Sequence, residues 1–219
     1  MELTEKITIT NEDNMELMAR YPDNYFELAI VDPPYALNIA NSSLGEGGGK
    51  AKSNNYKKKD WDKEAPAKEY FEELLRVSKN QIVWGGNYFT LPISKGWIVW
   101  QKFMDLSIVN DYSPFELAWS SFKKPSMFRF LWSGFWQGDM KNKEKRIHPT
   151  QKPVKLYEWL LMSYGKEGDK ILDTHLGSGS IAIAAHNLGY ELTACELDKD
   201  YYDASIKRIK QHINQQRLF

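Results

Sequence analysis

Residues 170–182 read Lys-Ile-Leu-Asp-Thr-His-Leu-Gly-Ser-Gly-Ser-Ile-Ala. A short aliphatic run ends in Asp173, a turn carrying Gly177 and Gly179 follows, and an apolar, alanine-rich stretch begins at once. That order predicts a strand (170–173), a glycine turn and a helix (179–188). Glycines let the backbone approach a ligand closely, and the first turn of a helix offers unbonded N–H groups to it. The next aliphatic run, 191–195, is a second strand, and Glu196 ends it 17 residues after Gly179. A carboxylate at that place can accept both hydroxyls of a ribose. Residues 177–182 also fit the G-x-G-x-x-A fingerprint of dinucleotide-binding proteins, so a nicotinamide oxidoreductase is one reading. Only one strand and one helix follow, however, and a dinucleotide fold needs more sheet downstream, so a nucleoside ligand fits better.

Outward from this unit the same alternation recurs. Residues 6–10, 28–31, 81–84, 97–101 and 115–120 read as further strands, and 14–20, 66–79, 153–164 and 199–215 as helices. Pro66 and Pro153 suit first turns. Seven short runs separated by helical patterns predict an α/β fold with a mostly parallel sheet buried on both faces. Two stretches have no clear pattern. Residues 41–60 hold four glycines and five lysines, and 123–147 mixes Phe128, Phe130, Trp132, Phe135 and Trp136 with basic residues.

At 219 residues the chain fits one domain of roughly 100–200 residues carrying an insertion, with enough core to need no staple. The single cysteine, Cys195, excludes an intramolecular disulfide framework and fits a reducing, cytoplasmic setting. The first ten residues lack the apolar core of a secretory signal, and no run approaches the roughly 20 apolar residues of a membrane span. His148, His175, His186 and His212 show no metal-ligand spacing, so no metal is expected. Formal net charge is zero, yet residues 41–63 carry +3, residues 123–146 carry +5, and the remainder −8. Two basic segments on an acidic body are an electrostatic footprint for a polyanion.

The run 28–31 leads directly into Asp32-Pro33-Pro34-Tyr35. A residue before proline is pushed toward extended geometry, so Asp32 and Pro33 continue the strand and then end it. Asp32 and the Pro33 carbonyl present two acceptors at the edge where α/β proteins bind ligands. Two aimed acceptors are what a planar exocyclic amine needs to lose its conjugation and expose a lone pair. Tyr35 offers a ring face for stacking. A third element, His148-Pro149-Thr150-Gln151-Lys152-Pro153, enters the helix at 153.

Together these elements resemble the β-class DNA amino-methyltransferases that use S-adenosylmethionine, in which the catalytic half precedes the cofactor half. Asp32 through Tyr35 matches the family's DPPY, His148 through Pro153 its HPTQKP element, and Asp173 through Gly179 its cofactor loop. Glu12-Asp13-Asn14-Met15 and Pro22-Asp23-Asn24 resemble its N-terminal run, and the likeness covers about 5–35, 81–120 and 148–210. The resemblance implies a seven-stranded, Rossmann-like methyltransferase sheet with helices on both faces and strand 28–31 beside 170–173. Residues 1–122 would form the catalytic half, about 123–147 a short target-recognition insertion, and 148–219 the cofactor half of one domain. It implies Asp32, Pro33, Pro34 and Tyr35 as catalytic residues. Asp173, Leu176, Gly177, Ser178 and Gly179 would hold the cofactor's methionine part. Glu196 would take the ribose, Asp13 and Asp198 the adenine edge, and Thr150 and Lys152 the amino-acid end.

The family usually has Pro-Phe where Thr174-His175 stand and Thr where Ser180 stands. Asp at the first motif position favours N6 of a flipped adenine over N4 of cytosine; RNA, or a partner subunit that binds cofactor without transfer, are more distant readings. The product would be S-adenosylhomocysteine, the partner double-stranded DNA, and the setting restriction–modification. Lys57, Lys58, Lys59, Lys123, Lys124, Arg129 and Arg146 are the candidate DNA contacts, with the two arginines suited to guanine edges. So short a recognition segment implies a short target, or a second protomer contributing as a homodimer.

Overall fold

The computed structural model describes residues 2–37, 62–103, 113–133 and 136–216. Its centre is a parallel sheet built from β2 (Ile7–Thr10), β3 (Phe26–Val31), β4 (Ser78–Trp84), β10 (Lys170–Asp173) and β11 (Glu191–Cys195). β6 (Phe115–Ser120) lies antiparallel to β4, and β5 (Ile98–Gln101) antiparallel to β6. All seven expected strands are present. The sheet has nine, because β1 (Glu2–Thr4) pairs with β2 at one edge and β7 (Ser126–Arg129) with β5 at the other. The order is β1-β2-β11-β10-β3-β4-β6-β5-β7. A separate two-stranded ribbon joins β8 (Trp132–Ser133) to β9 (Trp136–Gln137).

Successive side chains of a strand point to opposite faces, and two apolar layers result. Along β3, Leu28 and Ile30 face one layer while Ala29 and Val31 face the other. The second layer is covered by α1 (Asn14–Ala19) and α2 (Lys68–Val77) through Leu17, Met18, Tyr70, Phe71 and Leu74. The first is covered by α3 (Val154–Tyr164), α4 (Ser180–Leu188) and α5 (Lys199–Gln216). α2 stops two residues earlier than its pattern predicts, since Ser78 turns extended and pairs with Phe26. No helix among the described residues is long and apolar enough to cross a membrane.

β10 and β3 lie side by side, with Ile171 opposite Leu28 and Leu172 opposite Ala29. From β10 the chain winds through α4 to β11 on one side, and from β3 through α2 to β4 on the other. The winding of the chain therefore reverses between these two parallel strands, and a crevice opens beyond their C-terminal ends.

Candidate active site

A cavity of about 650 Å³ occupies that crevice, a size suited to a small organic ligand. On its β10 side the glycine turn folds back, with Leu176 N–H donating to the Cys195 carbonyl at 3.0 Å. Gly177 adopts φ +52° and donates its N–H to Glu196 Oε2 at 2.8 Å; Asp198 N–H donates to Oε1 at 2.9 Å. Both Glu196 oxygens are thus held in place at the cavity wall, and a carboxylate oxygen can accept more than one hydrogen bond. Gly179 has φ +74°, and a Cβ there would lie 2.9 Å from Ile209 Cδ1, so glycine is required for conformation and for packing. Asp13 and Asp198 line the cavity, and each spends Oδ1 on a helix start: Asp13 accepts from Met15 N–H at 2.8 Å, Asp198 from Asp200 N–H at 2.9 Å. Ser178 is buried, its hydroxyl 3.1 Å from that of Ser180, and Thr150 Oγ1 lies 3.1 Å from His148 Nδ1.

Asp173 is buried at the end of β10, where desolvation, reinforced by Asp32 and Glu196, pushes its carboxyl up to about 8 despite a 2.9 Å bond from His175 N–H. A carboxyl so placed is largely neutral at pH 7. The pair that replaces Pro-Phe forms a polar knot. Thr174 Oγ1 is 2.7 Å from Tyr70 Oη, and the His175 imidazole sits between Thr174 (3.0 Å) and Asn14 (3.2 Å). Desolvation there lowers the imidazole to about 3, so the ring is neutral.

Across the cavity stands Asp32. Its Oδ1 accepts from Tyr35 Oη at 2.6 Å and its Oδ2 from Lys152 Nζ at 2.5 Å. Tyr35 itself is held on all sides. Its N–H donates to Asp62 Oδ1 at 3.1 Å, its ring stacks on Tyr88 at 5.1 Å, and Gly85 lies so close that a Cβ would be 2.2 Å from the ring. Burial and the Asp32 carboxylate hold the phenol well above its ordinary range, so it remains a donor. Lys152 is turned toward Asp32 and, at 3.2 Å, toward Glu116 Oε2; Lys102 closes the row with a 3.1 Å contact to Glu116 Oε1. Burial disfavours the Lys152 charge, but the Asp32 and Glu116 carboxylates outweigh it and raise the amine above the usual lysine range. The Lys152 carbonyl accepts from Ser180 Oγ at 2.7 Å. One residue thereby ties the glycine turn to Asp32.

The structure thus gathers Asp32, Tyr35, Lys152, Thr150, Asp13, Glu196 and the 173–179 turn around one crevice. It does not gather the basic residues there. β6 runs antiparallel to β4, so Lys123 and Lys124, which follow it, lie at the edge of the sheet opposite Asp32. Six residues of strand span roughly 20 Å. Arg129 ends β7, parallel to β5, and is exposed on the same edge as the crevice. Arg146 rests its guanidinium on the Trp132 ring, 4.5 Å from the centroid. Lys57, Lys58 and Lys59 lie outside the described residues. Phe128 stacks on Phe130 and on Trp159 of α3, and Trp132 Nε1 donates to the Gln151 carbonyl at 2.8 Å, so these aromatics pack; Trp136 is exposed. Among the described residues no three His, Cys, Asp or Glu side chains are grouped to hold a metal.

Glu116, Lys102, Tyr70 and Gly85 escaped the sequence reading. Glu116 left a trace, as a charge between Phe115 and Leu117 in an otherwise apolar strand.

The family model described as DNA methylase, of the N6/N4 type, matches residues 98–207. The type II methyltransferase M2.DpnII of Streptococcus pneumoniae is 25% identical over 245 residues, spanning 94% of this chain and 90% of its own length. M.HpaI, a type II methyltransferase of Haemophilus parainfluenzae, is 25% identical over 232 residues, spanning 88% and 70%. The fold matches the M1.HpyAVI–SAM complex with a TM-score of 0.57 at 20% identity, covering 92% of this chain and 98% of that one. It also matches the PvuII DNA methyltransferase, titled cytosine-N4-specific, with a TM-score of 0.57 at 13% identity, covering 94% and 91%.

Proposed function

Since the chain belongs to the N6/N4 DNA methylase family, and is therefore an amino DNA methyltransferase, we propose that it methylates N6 of adenine in DNA, with Asp32, Pro33, Pro34 and Tyr35 as the catalytic set. One observation carries this reading: a single cavity is lined by both Asp32, after β3, and Glu196, after β11, with β10 between those two strands. An adenosyl cofactor anchored by its ribose at Glu196 would reach toward Asp32.

The residues fit S-adenosylmethionine. The fixed Glu196 carboxylate supplies ribose acceptors, and at Gly177 a Cβ would meet nothing nearer than the His175 carbonyl, 3.8 Å away, so backbone stands open to the ligand. When bound, the cofactor supplies a methyl group on a sulfonium, an electrophile needing no metal. Asp13 and Asp198 would bound the adenine end, and Asp173, Leu176, Ser178, Gly179 and Thr150 the methionine end. Lys152 is assigned to Asp32 instead, because both ends of its ammonium contact are carboxylates.

Asp32 carries the chemistry of the amine. A carboxylate has about four lone-pair sites; Tyr35 and Lys152 use two, leaving capacity for an amine N–H. With the Pro33 carbonyl as second acceptor, both amine hydrogens are held and the nitrogen lone pair turns to the methyl group; the nitrogen–carbon bond would form as the carbon–sulfur bond breaks, the neutral thioether would leave, and the proton the nitrogen sheds would pass to Asp32. Holding nucleophile and electrophile adjacent makes the displacement effectively unimolecular. The Tyr35 ring is engaged by Tyr88 and Gly85, so an incoming base would meet a fixed edge of the crevice. An Asp rather than a Ser at position 32 supports adenine. Residues 1–122 would then serve as the catalytic half and 148–219 as the cofactor half, with recognition from about 123–147 or from a second protomer.

The test is labelled-methyl transfer from S-adenosylmethionine to unmethylated DNA, with product nucleosides resolved by mass. N6-methyladenine is expected. N4-methylcytosine would replace the base assignment and keep the mechanism, whereas absence of any methylated base with cofactor bound would overturn it.

A further inference from the structure

Asp32 has a buried ammonium at its back. This poses a problem for the reaction proposed above, because the amine nitrogen gains positive charge as it takes the methyl group. Lys152, 3% exposed, lies 2.5 Å from Asp32 Oδ2. An ammonium paired with Asp32 alone would compete with the amine for the carboxylate and repel the developing cation. The structure offsets it. Glu116 Oε2 stands 3.2 Å from the same Nζ, and Lys102, 3.1 Å from Glu116 Oε1, balances Glu116 in turn. The four charges alternate in sign and sum to zero, which is the condition for burying them at tolerable cost.

We propose that Glu116 is a positioning residue for methyl transfer: it draws on Lys152 so that the ammonium orients Asp32 without neutralising it as an acceptor. This rests on the assignment of Asp32 given above. Three elements supply the geometry. Glu116 comes from β6, Lys152 from the turn before α3, and Asp32 from the end of β3. Lys152 is further fixed by the Trp84 ring, 5.3 Å away, and by its own carbonyl on Ser180. Tyr35, whose Oη lies 2.6 Å from Asp32 Oδ1 and 3.4 Å from Lys152 Nζ, Tyr157 of α3 and Asp173 are the other titratable groups turned toward this cluster among the described residues. Because Lys152 and Asp32 line the cavity and Glu116 does not, its effect passes through Lys152, and that dependence can be measured.

The experiment places Glu116→Gln in the wild-type and in the Lys152→Met backgrounds. Single-turnover methyl transfer is followed at saturating S-adenosylmethionine and DNA, and cofactor affinity by calorimetry. By analogy with the outer partners of metal-ligating residues, whose loss costs about 10- to 100-fold, a positioning carboxylate behind Lys152 is assigned a loss of that order. That loss is expected in the wild-type background with cofactor affinity unchanged, and little further loss is expected where Lys152 is already methionine. Independently of turnover, the 13Cε resonance of Lys152, identified by its absence in Lys152→Met, should titrate at lower pH in Glu116→Gln. Equal losses in both backgrounds, a wild-type rate for Glu116→Gln, or an unmoved Lys152 titration would each overturn the inference. Should Glu116→Gln fail to fold, Glu116→Asp keeps the charge but shortens its reach, and the same directions are expected at smaller size. A wild-type protein with the coupled titration that yields no methylated base would refute the reading of Asp32, and this inference with it.

Discussion

Gly85→Ala isolates the support behind Tyr35 without touching Asp32 or the glycine turn. Gly85 follows β4 at φ +66°, where an L side chain costs about 1–2 kcal/mol. Steric conflict adds to this, because the new methyl would stand 2.2 Å from Tyr35 Cε1 and 2.5 Å from Cζ, whereas ordinary contact begins at 3.4 Å. The ring must therefore retreat by at least about 1.2 Å, and it is backed by Phe89 at 6.0 Å and anchored through its N–H to Asp62. A retreat of that size stretches the 2.6 Å bond from Tyr35 Oη to Asp32 beyond hydrogen-bonding range. Displacements near 1 Å at a reacting group cost on the order of 100-fold in rate. We expect thermal unfolding to show a loss of about 2–3 kcal/mol, and single-turnover transfer to fall about 100-fold. Calorimetric affinity for S-adenosylmethionine should hold, since Glu196 and Gly177 lie beyond the change. A variant transferring within twofold of wild type would refute the claim that Tyr35 must be held where it is.

Asp32→Ala should abolish methyl transfer while cofactor affinity, read by calorimetry, persists; activity near wild type would remove Asp32 from the mechanism. Glu196→Gln should weaken cofactor binding about tenfold by exchanging a charged acceptor for a neutral amide, with little change in the transfer rate once cofactor is saturating. Asp173 is raised to about 8 from an ordinary 3.8, so the folded chain holds a proton that the unfolded chain has released between those values. Stability should therefore fall as pH rises from about 4 toward 8 through this group, and Asp173→Asn should flatten that slope in urea midpoints. His175, lowered to about 3 from 6.5, acts in the other direction: below pH 6.5 the unfolded chain takes a proton that the folded one refuses. Stability should drop with acid, and His175→Asn should blunt that drop.

The sheet was largely legible because its strands are short aliphatic runs, and runs buried on both faces announce themselves by composition alone. β7 was not. Ser126-Met127-Phe128-Arg129 does alternate, with Phe128 turned inward, but it lies in a basic, aromatic stretch in which Phe130 and Trp132 also pack. The charge count that marked 123–146 as a polyanion face was blind to direction. The antiparallel turn of β6 carries Lys123 and Lys124 to the opposite edge from Asp32. Asp32, Glu196 and the glycine turn could be named because each sits at a strand end, which is where a parallel sheet delivers its ligands. The partnership of Lys152 with Asp32 spans 120 positions of chain, and nothing local in either segment records it. The meeting of β3 with β10, with the turn before α3 tied through Lys152 to Ser180 beyond β10, creates that pairing.

That meeting also sets the order in which the molecule can be completed. β3 is made early, yet its neighbour β10 begins at residue 170, and β2 waits for β11, which begins at residue 191. Pairings so distant in sequence are slow to form and leave strand edges uncovered until they do. Asp32 is among the first functional residues to be synthesised and among the last to be set. A chain halted before residue 170 would carry β3 and its Asp32–Tyr35 segment with β4 on one side only, and with the other edge open and inviting other chains.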